Sequence, residues 1–262
     1  MTAHPLSVIH PDAKIGKNVE IGPFTTIAAN VEIGDGCKIG PNVTIFDYVR
    51  MGRDCQVFPG AVLGGLPQDL KFEGEESYVE IGDCNVIREC VTINRGTAAS
   101  GKSVTRVGDH NLIMCYVHIA HDCRIGNHCI LSGKTGLAGE TDIDDWAILG
   151  GGVLAHQFTH IGTHAMIGGG CIVIKDVPPY SLVGRSPIAF EGVNLVGLRR
   201  RGFSNDEIEQ IREIYKTIYD VGLNVSDACR SIEAAFPESP QRDAILSFIR
   251  NSSRGIVRRN RE

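Results

Sequence analysis

The sequence has few aromatic residues, no long apolar run and no excess of basic charge. Aromatic residues make up 6% of the 262 residues, and the formal net charge is −5. A general nucleic-acid-binding protein is therefore not expected, because it would need a basic surface. No apolar stretch approaches the roughly 18 residues of a membrane-spanning helix, and the N-terminal segment Met1–Leu6 lacks the basic and apolar regions of a signal peptide. Any core must be built mainly from aliphatic side chains.

Paired cysteine spacing of the kind that binds metals is also missing. The nine cysteines are an odd number, and no two of them are separated by the short intervals of a metal-ligand motif. Without an export signal they are predicted to be reduced thiols in the cytoplasm. We therefore expect a cytoplasmic protein with no metal and no other cofactor.

What the sequence does contain is a repeat of six residues. An aliphatic residue occupies every sixth position in three runs, from Ile9 to Leu63, from Ile81 to Ile93 and from Val107 to Val173, which gives 25 positions without an exception. A small or β-branched residue often follows four places later, and five of the cysteines stand at this second position. These cysteines are interpreted as small core-filling side chains.

A period of six with two inward positions fits neither an amphipathic helix nor an ordinary pair of strands. It predicts short parallel strands wound into a triangular prism, with 18 residues in each of about eight coils. Two inserts interrupt the repeat: residues 64–78 preserve its frame, and residues 94–105 shift it by two. Both are predicted to be loops that project from the prism, where long loops often carry function.

The repeat ends at Asp176–Tyr180, and a linker is expected before a helical pattern begins. Ser204 and Glu207 form a capping box ahead of apolar residues at helical spacing, and two more helices are expected over 226–236 and 240–251. The sequence thus predicts a mainly β domain over residues 1–190 and a small helical domain over 191–262. The basic tail, residues 254–261, is interpreted as a solvated chain end.

The segment Tyr116–Cys123 places two histidines and an aspartate within six residues. Because residues 18 apart stack on successive coils, His121 is aligned with Gly139 and Gln157, and His118 is not. Several histidines on a few coils could form a metal site or an acid–base site. The simpler interpretation, hydrogen bonding between coils, is preferred for His4, His10, His110, His128, His160 and His164.

Several motifs outside the repeat resemble the UDP-N-acetylglucosamine acyltransferases, a hexapeptide-repeat family that begins lipid A biosynthesis. They include Gln68–Lys71, His118–Cys123, His156–Phe158 and the Asn194 to Arg201 region, and the likeness extends over essentially the whole chain. The resemblance implies a left-handed parallel β-helix followed by a small α-helical domain. It also implies a homotrimer whose active sites lie between subunits.

The activity implied by this resemblance is transfer of an (R)-3-hydroxyacyl group from acyl carrier protein to the 3-position of the sugar of UDP-GlcNAc. His121 would act as general base, Asp122 would orient it, and the backbone N–H of Gly139 would stabilise the oxyanion. The sugar oxygen would attack the thioester directly, so no covalent enzyme intermediate is needed.

The resemblance also assigns substrate-binding residues. The expected substrate-binding set is Asp69, Lys71, His118, Glu140, His156, Gln157, Gly169, Asn194, Arg200 and Arg201. Within it, Asn194 and Arg201 would hold the UDP part, with Arg200 a weaker candidate, and Gly169 would lie where a side chain can close the acyl groove. Arg199–Arg201 and the basic tail could attract the acidic acyl carrier protein.

Three positions and the segment Gly184–Ala189 depart from the family pattern. Glu140 and Asn94 stand where histidine is common, and Val196 stands where a glutamate helps to hold the nucleotide. These departures leave open whether the acceptor is a 3-hydroxyl or a 3-amino group. The acyl chain length is open as well.

The sequence leaves four alternatives to this activity. A related N-acyltransferase carries an extra N-terminal domain, for which the repeat beginning at Ile9 leaves no room. An acetyl-CoA-dependent sugar acetyltransferase usually lacks the three-helix tail and the Gln68–Lys71 loop. A zinc protein of the carbonic anhydrase type needs three well-placed histidines, and a non-catalytic scaffold needs none of these residues.

Overall fold

The structure, a computed structural model, describes residues 1–259. The repeat folds into a left-handed parallel β-helix with a triangular cross-section, as predicted. Its three faces are called A, B and C in the order in which the chain visits them, and they contain 11, 9 and 8 strands. Strands on one face lie one coil apart, so that His118 is paired with Gly136 and Gly136 with Leu154.

Most strands are only two residues long because a corner follows each of them. Face A consists of Thr2–Ala3, Glu20–Ile21, Lys38–Ile39, Gln56–Val57, Val86–Ile87, Leu112–Ile113, Ile130–Leu131, Ile148–Leu149, Met166–Ile167, Ser181–Gly184 and Ala189–Val193. Face B consists of Val8–Ile9, Thr26–Ile27, Thr44–Ile45, Val62–Gly65, Thr92–Asn94, His118–Ile119, Gly136–Leu137, Leu154–Ala155 and Ile172–Val173. Face C consists of Lys14–Ile15, Glu32–Ile33, Val49–Met51, Tyr78–Ile81, Val104–Val107, Arg124–Ile125, Asp142–Ile143 and His160–Ile161.

The core of the prism is the stack of repeat aliphatics. All of the 25 positions except Ile9 and Ile15 are buried, and these two lie in the first coil, where only one side is covered. Each fully buried isoleucine or leucine contributes about 1.5–3 kcal/mol to stability. The five repeat cysteines are buried in the same core, as predicted for small packing residues.

Both inserts leave the prism between a strand on face B and a strand on face C. The first connects Val62–Gly65 to Tyr78–Ile81, and the second connects Thr92–Asn94 to Val104–Val107 and contains a short 3-10 helix, Ala98–Ser100. They pack on each other: the Arg95 N–H donates to the Gly65 carbonyl, and the Ala98 N–H donates to the Glu75 carboxylate at 2.8 Å. The inserts therefore form one structural unit beside the corner between faces B and C.

The C-terminal part contains four helices, one more than predicted. The additional helix, α1, spans Leu195–Arg200 within the expected linker, and the Asn194 side chain caps it by accepting a hydrogen bond from the Gly197 N–H. The others are α2 (Asn205–Tyr219), α3 (Val225–Ala235) and α4 (Pro240–Asn251). The predicted capping box of Ser204 and Glu207 begins α2. The linker prediction was wrong because one cap is enough to start a six-residue helix without a long apolar pattern.

The basic tail is not a solvated end over its described length. Ile256 and Val257 are buried, and Val257 donates its N–H to the Asp176 carbonyl at 2.9 Å. The segment closes the last coil of the prism, because its apolar residues cover the open end of the core. Residues 260 and 261 of the predicted tail lie outside the described residues.

The outer surfaces of the faces differ in chemistry. Face C carries charged side chains, among them the ion pairs Lys14–Glu32 and Arg106–Glu80, both at 2.8 Å. The later strands of face A instead present a stripe of partly buried aliphatic side chains, namely Val86, Leu112, Ile130, Ile148 and Met166. In residues 1–259 no helix is long and apolar enough to span a bilayer.

Candidate active site

His121 and Asp122 form the corner between faces B and C. The strand His118–Ile119 ends on face B and Arg124–Ile125 begins face C, so that the two residues occupy the turn between them. Asp122 adopts the left-handed conformation with φ of 61°, which aspartate tolerates better than most residues. Both side chains are buried, although neither belongs to the aliphatic core.

A short hydrogen bond joins the two side chains. The His121 Nδ1–H donates to Asp122 Oδ2 at 2.8 Å. Because a carboxylate accepts this bond, the hydrogen resides on Nδ1 and the lone pair of a neutral ring is on Nε2. The pair therefore has the geometry in which a carboxylate orients a histidine base.

The first insert covers the other edge of the imidazole. Asp69 Oδ2 lies 3.8 Å from His121 Nε2, and the Asp69 side chain also accepts the Lys71 N–H at 3.0 Å. The Lys71 side chain is exposed beside it. The insert thus brings Asp69 to the Nε2 edge of His121, with Lys71 two residues further along the same loop.

Gly139 lies one coil beyond His121, as the 18-residue alignment predicts. A Cβ atom at Gly139 would be only 2.4 Å from His121 Nε2 and Cε1. No hydrogen bond from the Gly139 N–H to any residue in the described part of the chain is found. The glycine therefore leaves room for the ring, and its own N–H has no acceptor among the described residues.

The other predicted residues of this region lie at the same corner or on face B. Glu140 is half-buried beside Gly139 and donates its N–H to the His121 carbonyl at 3.0 Å. His156 is exposed and Gln157 is half-buried one coil further on. His118 points outward from face B, where its Nδ1 lies 2.7 Å from Thr92 Oγ1, and burial lowers its pKa.

Gly169 is on the opposite edge of face B. It follows the face A strand Met166–Ile167 and is exposed. Between Gly169 and the His121 corner the outer surface of face B is formed by Gly136, Leu154 and Ile172, of which the last two are more than half exposed. This is an apolar surface that begins at the His121 corner.

Asn194, Arg200 and Arg201 lie at a different corner, between faces C and A. The Asn194 amide donates to the His164 carbonyl at 2.9 Å while its oxygen caps α1. Arg201 packs over the Trp146 ring with its guanidinium carbon 5.2 Å from the ring centre, and its Nη1 is 3.2 Å from His164 Nδ1. Arg200 is exposed. One chain therefore does not bring these residues to the His121 corner.

Aromatic side chains stack along this second corner. His110, His128, Trp146, His164 and Tyr180 follow one another with ring centres 4.1–6.0 Å apart. Within the described residues, His110 and His128 therefore contact neighbouring coils by ring stacking and not by the hydrogen bonds that were expected. Among the described residues, no three His, Cys, Asp or Glu side chains are grouped so that they could hold a metal ion.

His164 is expected to make the protein less stable in acid. Burial, together with the nearby Arg201 guanidinium, lowers its pKa from 6.5 to about 4, against a smaller opposing effect of Asp145. Between pH 6.5 and 4 the unfolded chain binds a proton that the folded chain does not, so stability falls as the pH drops through this window, by at most about 3 kcal/mol. His164→Asn, which suits the local φ of 57°, should flatten this pH dependence in urea unfolding. If the unfolding free energy of His164→Asn depends on pH as steeply as that of the wild type, His164 is not the cause of the acid sensitivity.

The residues that surround the Asp122 carboxylate were not predicted from the sequence. Its oxygens accept hydrogen bonds from the Thr97 N–H at 2.9 Å, the Thr97 hydroxyl at 2.8 Å and the Ser100 hydroxyl at 2.7 Å. The Asp122 N–H in turn donates to Thr105 Oγ1 at 2.8 Å. A signal was present, because a buried carboxylate needs donors and the second insert ends one coil before Asp122.

Comparison with known proteins gives a consistent result. The family model described as UDP-N-acetylglucosamine O-acyltransferase, domain 2, matches residues 176–257, and the bacterial transferase hexapeptide model matches residues 12–47 and 105–139. An acyl-[acyl-carrier-protein]–UDP-N-acetylglucosamine O-acyltransferase of Chlorobaculum parvum is 57% identical over 96% of this chain and 95% of its own length.

Solved structures agree with this result. A UDP-N-acetylglucosamine acyltransferase from Bacteroides fragilis is 55% identical, with a TM-score of 0.94 over 97% of this chain and 99% of its own. The Francisella novicida enzyme is 43% identical, with a TM-score of 0.95 over 98% of this chain and 94% of its own. The chain therefore belongs to the UDP-N-acetylglucosamine O-acyltransferase family.

Proposed function

We propose that this protein transfers an (R)-3-hydroxyacyl group from acyl carrier protein to the 3-hydroxyl of UDP-GlcNAc, the first step of lipid A biosynthesis, in the cytoplasm. The observation that carries the proposal is the His121–Asp122 pair next to the free N–H of Gly139. A base beside an unused backbone donor is the arrangement that acyl transfer to a hydroxyl requires. The relatives are named O-acyltransferases, which favours a hydroxyl over an amino acceptor.

The base step follows from the hydrogen bonding of His121. Its Nδ1–H is held by Asp122 at 2.8 Å, so Nε2 is free to take the proton of the sugar hydroxyl. The oxygen, as it loses that proton, forms a bond to the thioester carbonyl carbon. Asp69, 3.8 Å from Nε2, is placed to accept a hydrogen bond from the sugar.

The acyl step places negative charge on the former carbonyl oxygen. The Gly139 N–H donates to this oxygen, and burial of the corner strengthens the interaction because water is excluded. When the tetrahedral intermediate collapses, the C–S bond breaks and the His121 imidazolium returns its proton to the departing thiolate. No side chain becomes acylated, so the transfer occurs in one displacement.

The acyl chain would lie on the outer surface of face B. That surface runs from the His121 corner over Gly136, Leu154 and Ile172 towards Gly169, and it is apolar. The absence of a side chain at Gly169 leaves the far end of the groove open, which favours a longer acyl chain. His118, His156 and Gln157 would position the substrates at the near end.

The UDP part would be held by a second copy of the chain in a homotrimer. Asn194, Arg200 and Arg201 are at the corner between faces C and A, and His121 is at the corner between faces B and C. The aliphatic stripe on face A is suited to pack against another copy, because large apolar patches on a surface are usually covered. Guanidinium groups are good partners for a diphosphate.

Direct assay would test the proposal. The protein is incubated with UDP-GlcNAc and a panel of 3-hydroxyacyl carrier proteins of increasing chain length, and acylated nucleotide sugar is measured by mass. Acetyl-CoA and a 3-amino acceptor serve as separate arms, and zinc content is measured on the same preparation. Absence of product with every chain length would refute the proposal, and product only in another arm would replace it.

If the active sites lie between subunits, two inactive variants are expected to complement each other in mixed trimers. His121→Ala and Arg201→Ala are co-expressed with different tags, and mixed trimers are purified through both tags. If each site takes His121 from one copy and Arg201 from the next, one of the three sites in every mixed trimer contains both intact residues. Activity well above that of either variant alone is therefore expected. Mixed trimers no more active than the better variant would show that each site belongs to one chain.

A further inference from the structure

We propose that Thr97 and Ser100, on the second insert, are positioning residues that hold the Asp122 carboxylate in the orientation that aligns His121. The inference rests on the proposed function, since it concerns the same site. It assigns to the insert a part in the reaction beyond that of a surface loop. Their hydrogen bonds at the site go to Asp122 and not to the His121 ring, so both act through Asp122.

Hydrogen bonds alone hold the carboxylate. Oδ1 accepts from the Thr97 N–H and the Ser100 hydroxyl, and Oδ2 accepts from the Thr97 hydroxyl and His121 Nδ1. In the part of the chain that the structure describes, no lysine or arginine forms an ion pair with Asp122. Three of its four donors thus come from the insert, and Asp122 is 0% exposed, so water cannot replace them.

The sharing of Oδ2 makes the arrangement directional. Both the Thr97 hydroxyl and the imidazole bond to this oxygen at 2.8 Å, while Ser100 and the Thr97 N–H hold Oδ1. Together they fix the plane of the carboxylate, and that plane determines where Nε2 lies relative to Gly139. A displacement of about 1 Å in a catalytic group can cost 100-fold in rate.

The insert is itself held at its base. The Gly96 N–H donates to the Tyr78 carbonyl and the Ser103 N–H to the Thr97 carbonyl, both at 3.2 Å. Ser100 Oγ also accepts the Lys102 N–H at 3.0 Å, so the segment that carries both hydroxyls is closed on itself. It therefore positions Asp122 as a rigid element.

The test is a pair of conservative substitutions measured by steady-state kinetics. Thr97→Val keeps the shape and removes one donor, and Ser100→Ala removes another. Each should lower kcat by about 10-fold, the effect of losing one hydrogen bond to a charged group, with KM for UDP-GlcNAc changed less than 3-fold. Thr97→Ser restores the donor and should recover at least half of kcat.

Two comparisons distinguish a loss of kcat caused by poor positioning of Asp122 from one caused by a general loss of stability. Thr25→Val is the matched control, because Thr25 is equally buried and donates one hydrogen bond, to the Gly40 carbonyl, in the first coils. It should leave kcat unchanged even if it lowers the melting temperature. In an Asp122→Asn background, Thr97→Val should lower kcat by less than 2-fold, because the carboxylate through which Thr97 acts is gone.

Failure of this inference is distinguishable from failure of the proposed function. If His121→Ala is inactive but Thr97→Val and Ser100→Ala keep full kcat, the positioning role is refuted and the function stands. Equal losses in Thr97→Val and Thr97→Ser also refute it, because the hydroxyl would then not be responsible. If His121→Ala keeps its activity, the proposed function is itself refuted.

Discussion

Replacing His121 by alanine is expected to lower kcat by about 1,000-fold, within the range by which general base catalysis accelerates reactions. The variant loses the imidazole that Asp122 orients and that lies against Gly139. KM for UDP-GlcNAc should change little, because Asp69, Lys71 and the residues of the other corner remain. Steady-state kinetics with the preferred acyl carrier protein would measure both quantities.

Loss of folding must be separated from loss of the base. His121 lies outside the aliphatic core, but its removal takes one of four hydrogen bonds from the buried Asp122. The expected cost is about 1–3 kcal/mol of unfolding free energy, which a scan of thermal unfolding would detect without loss of the cooperative transition. His110→Ala is a suitable control, because His110 is exposed and stacks on His128 at another corner. Activity of His121→Ala above a tenth of wild type would exclude it as the base.

The prism and the alignment of its coils could be predicted because a simple physical rule generates both. Each inward position needs an aliphatic side chain, so the period of six is visible in the sequence, and 18 residues return the chain to the same face. This rule places Gly139 one coil from His121, as the structure has it. It required no knowledge of the side-chain contacts.

The surroundings of Asp122 could not be predicted in this way. Thr97 and Ser100 lie in an insert without periodicity, and their approach to Asp122 depends on how that insert folds back. The additional helix α1 was missed for a similar reason, since it depends on the local cap at Asn194. Where periodicity ends, position is determined by individual hydrogen bonds, and these leave a weak pattern in the sequence.

Gly139→Ala is the second substitution with a large expected effect. The three heavy atoms nearest to the added Cβ all belong to the His121 ring, at 2.4–3.1 Å. The backbone at Gly139 does not have a positive φ, so its conformation permits alanine, and the three nearest conflicts are all with the imidazole. The ring must move by about 1 Å, which is expected to lower kcat by about 100-fold. Gly133→Ala, at the equivalent position of an earlier hexad with 3.3 Å to its nearest contact, should keep most of the activity.

A double-mutant cycle shows whether this contact is the cause. Gly139→Ala alone is expected to lower the free energy of unfolding by about 1–3 kcal/mol, as overpacking does. In a His121→Ala background the ring is absent, so the same substitution should cost less than about 0.5 kcal/mol, and the difference is the coupling between the two residues. Unfolding in urea measures all four variants. A cost for Gly139→Ala that persists without the imidazole would mean that this glycine is required by the corner itself. A cost that disappears would show that the site needs glycine here because the base occupies the space of its side chain.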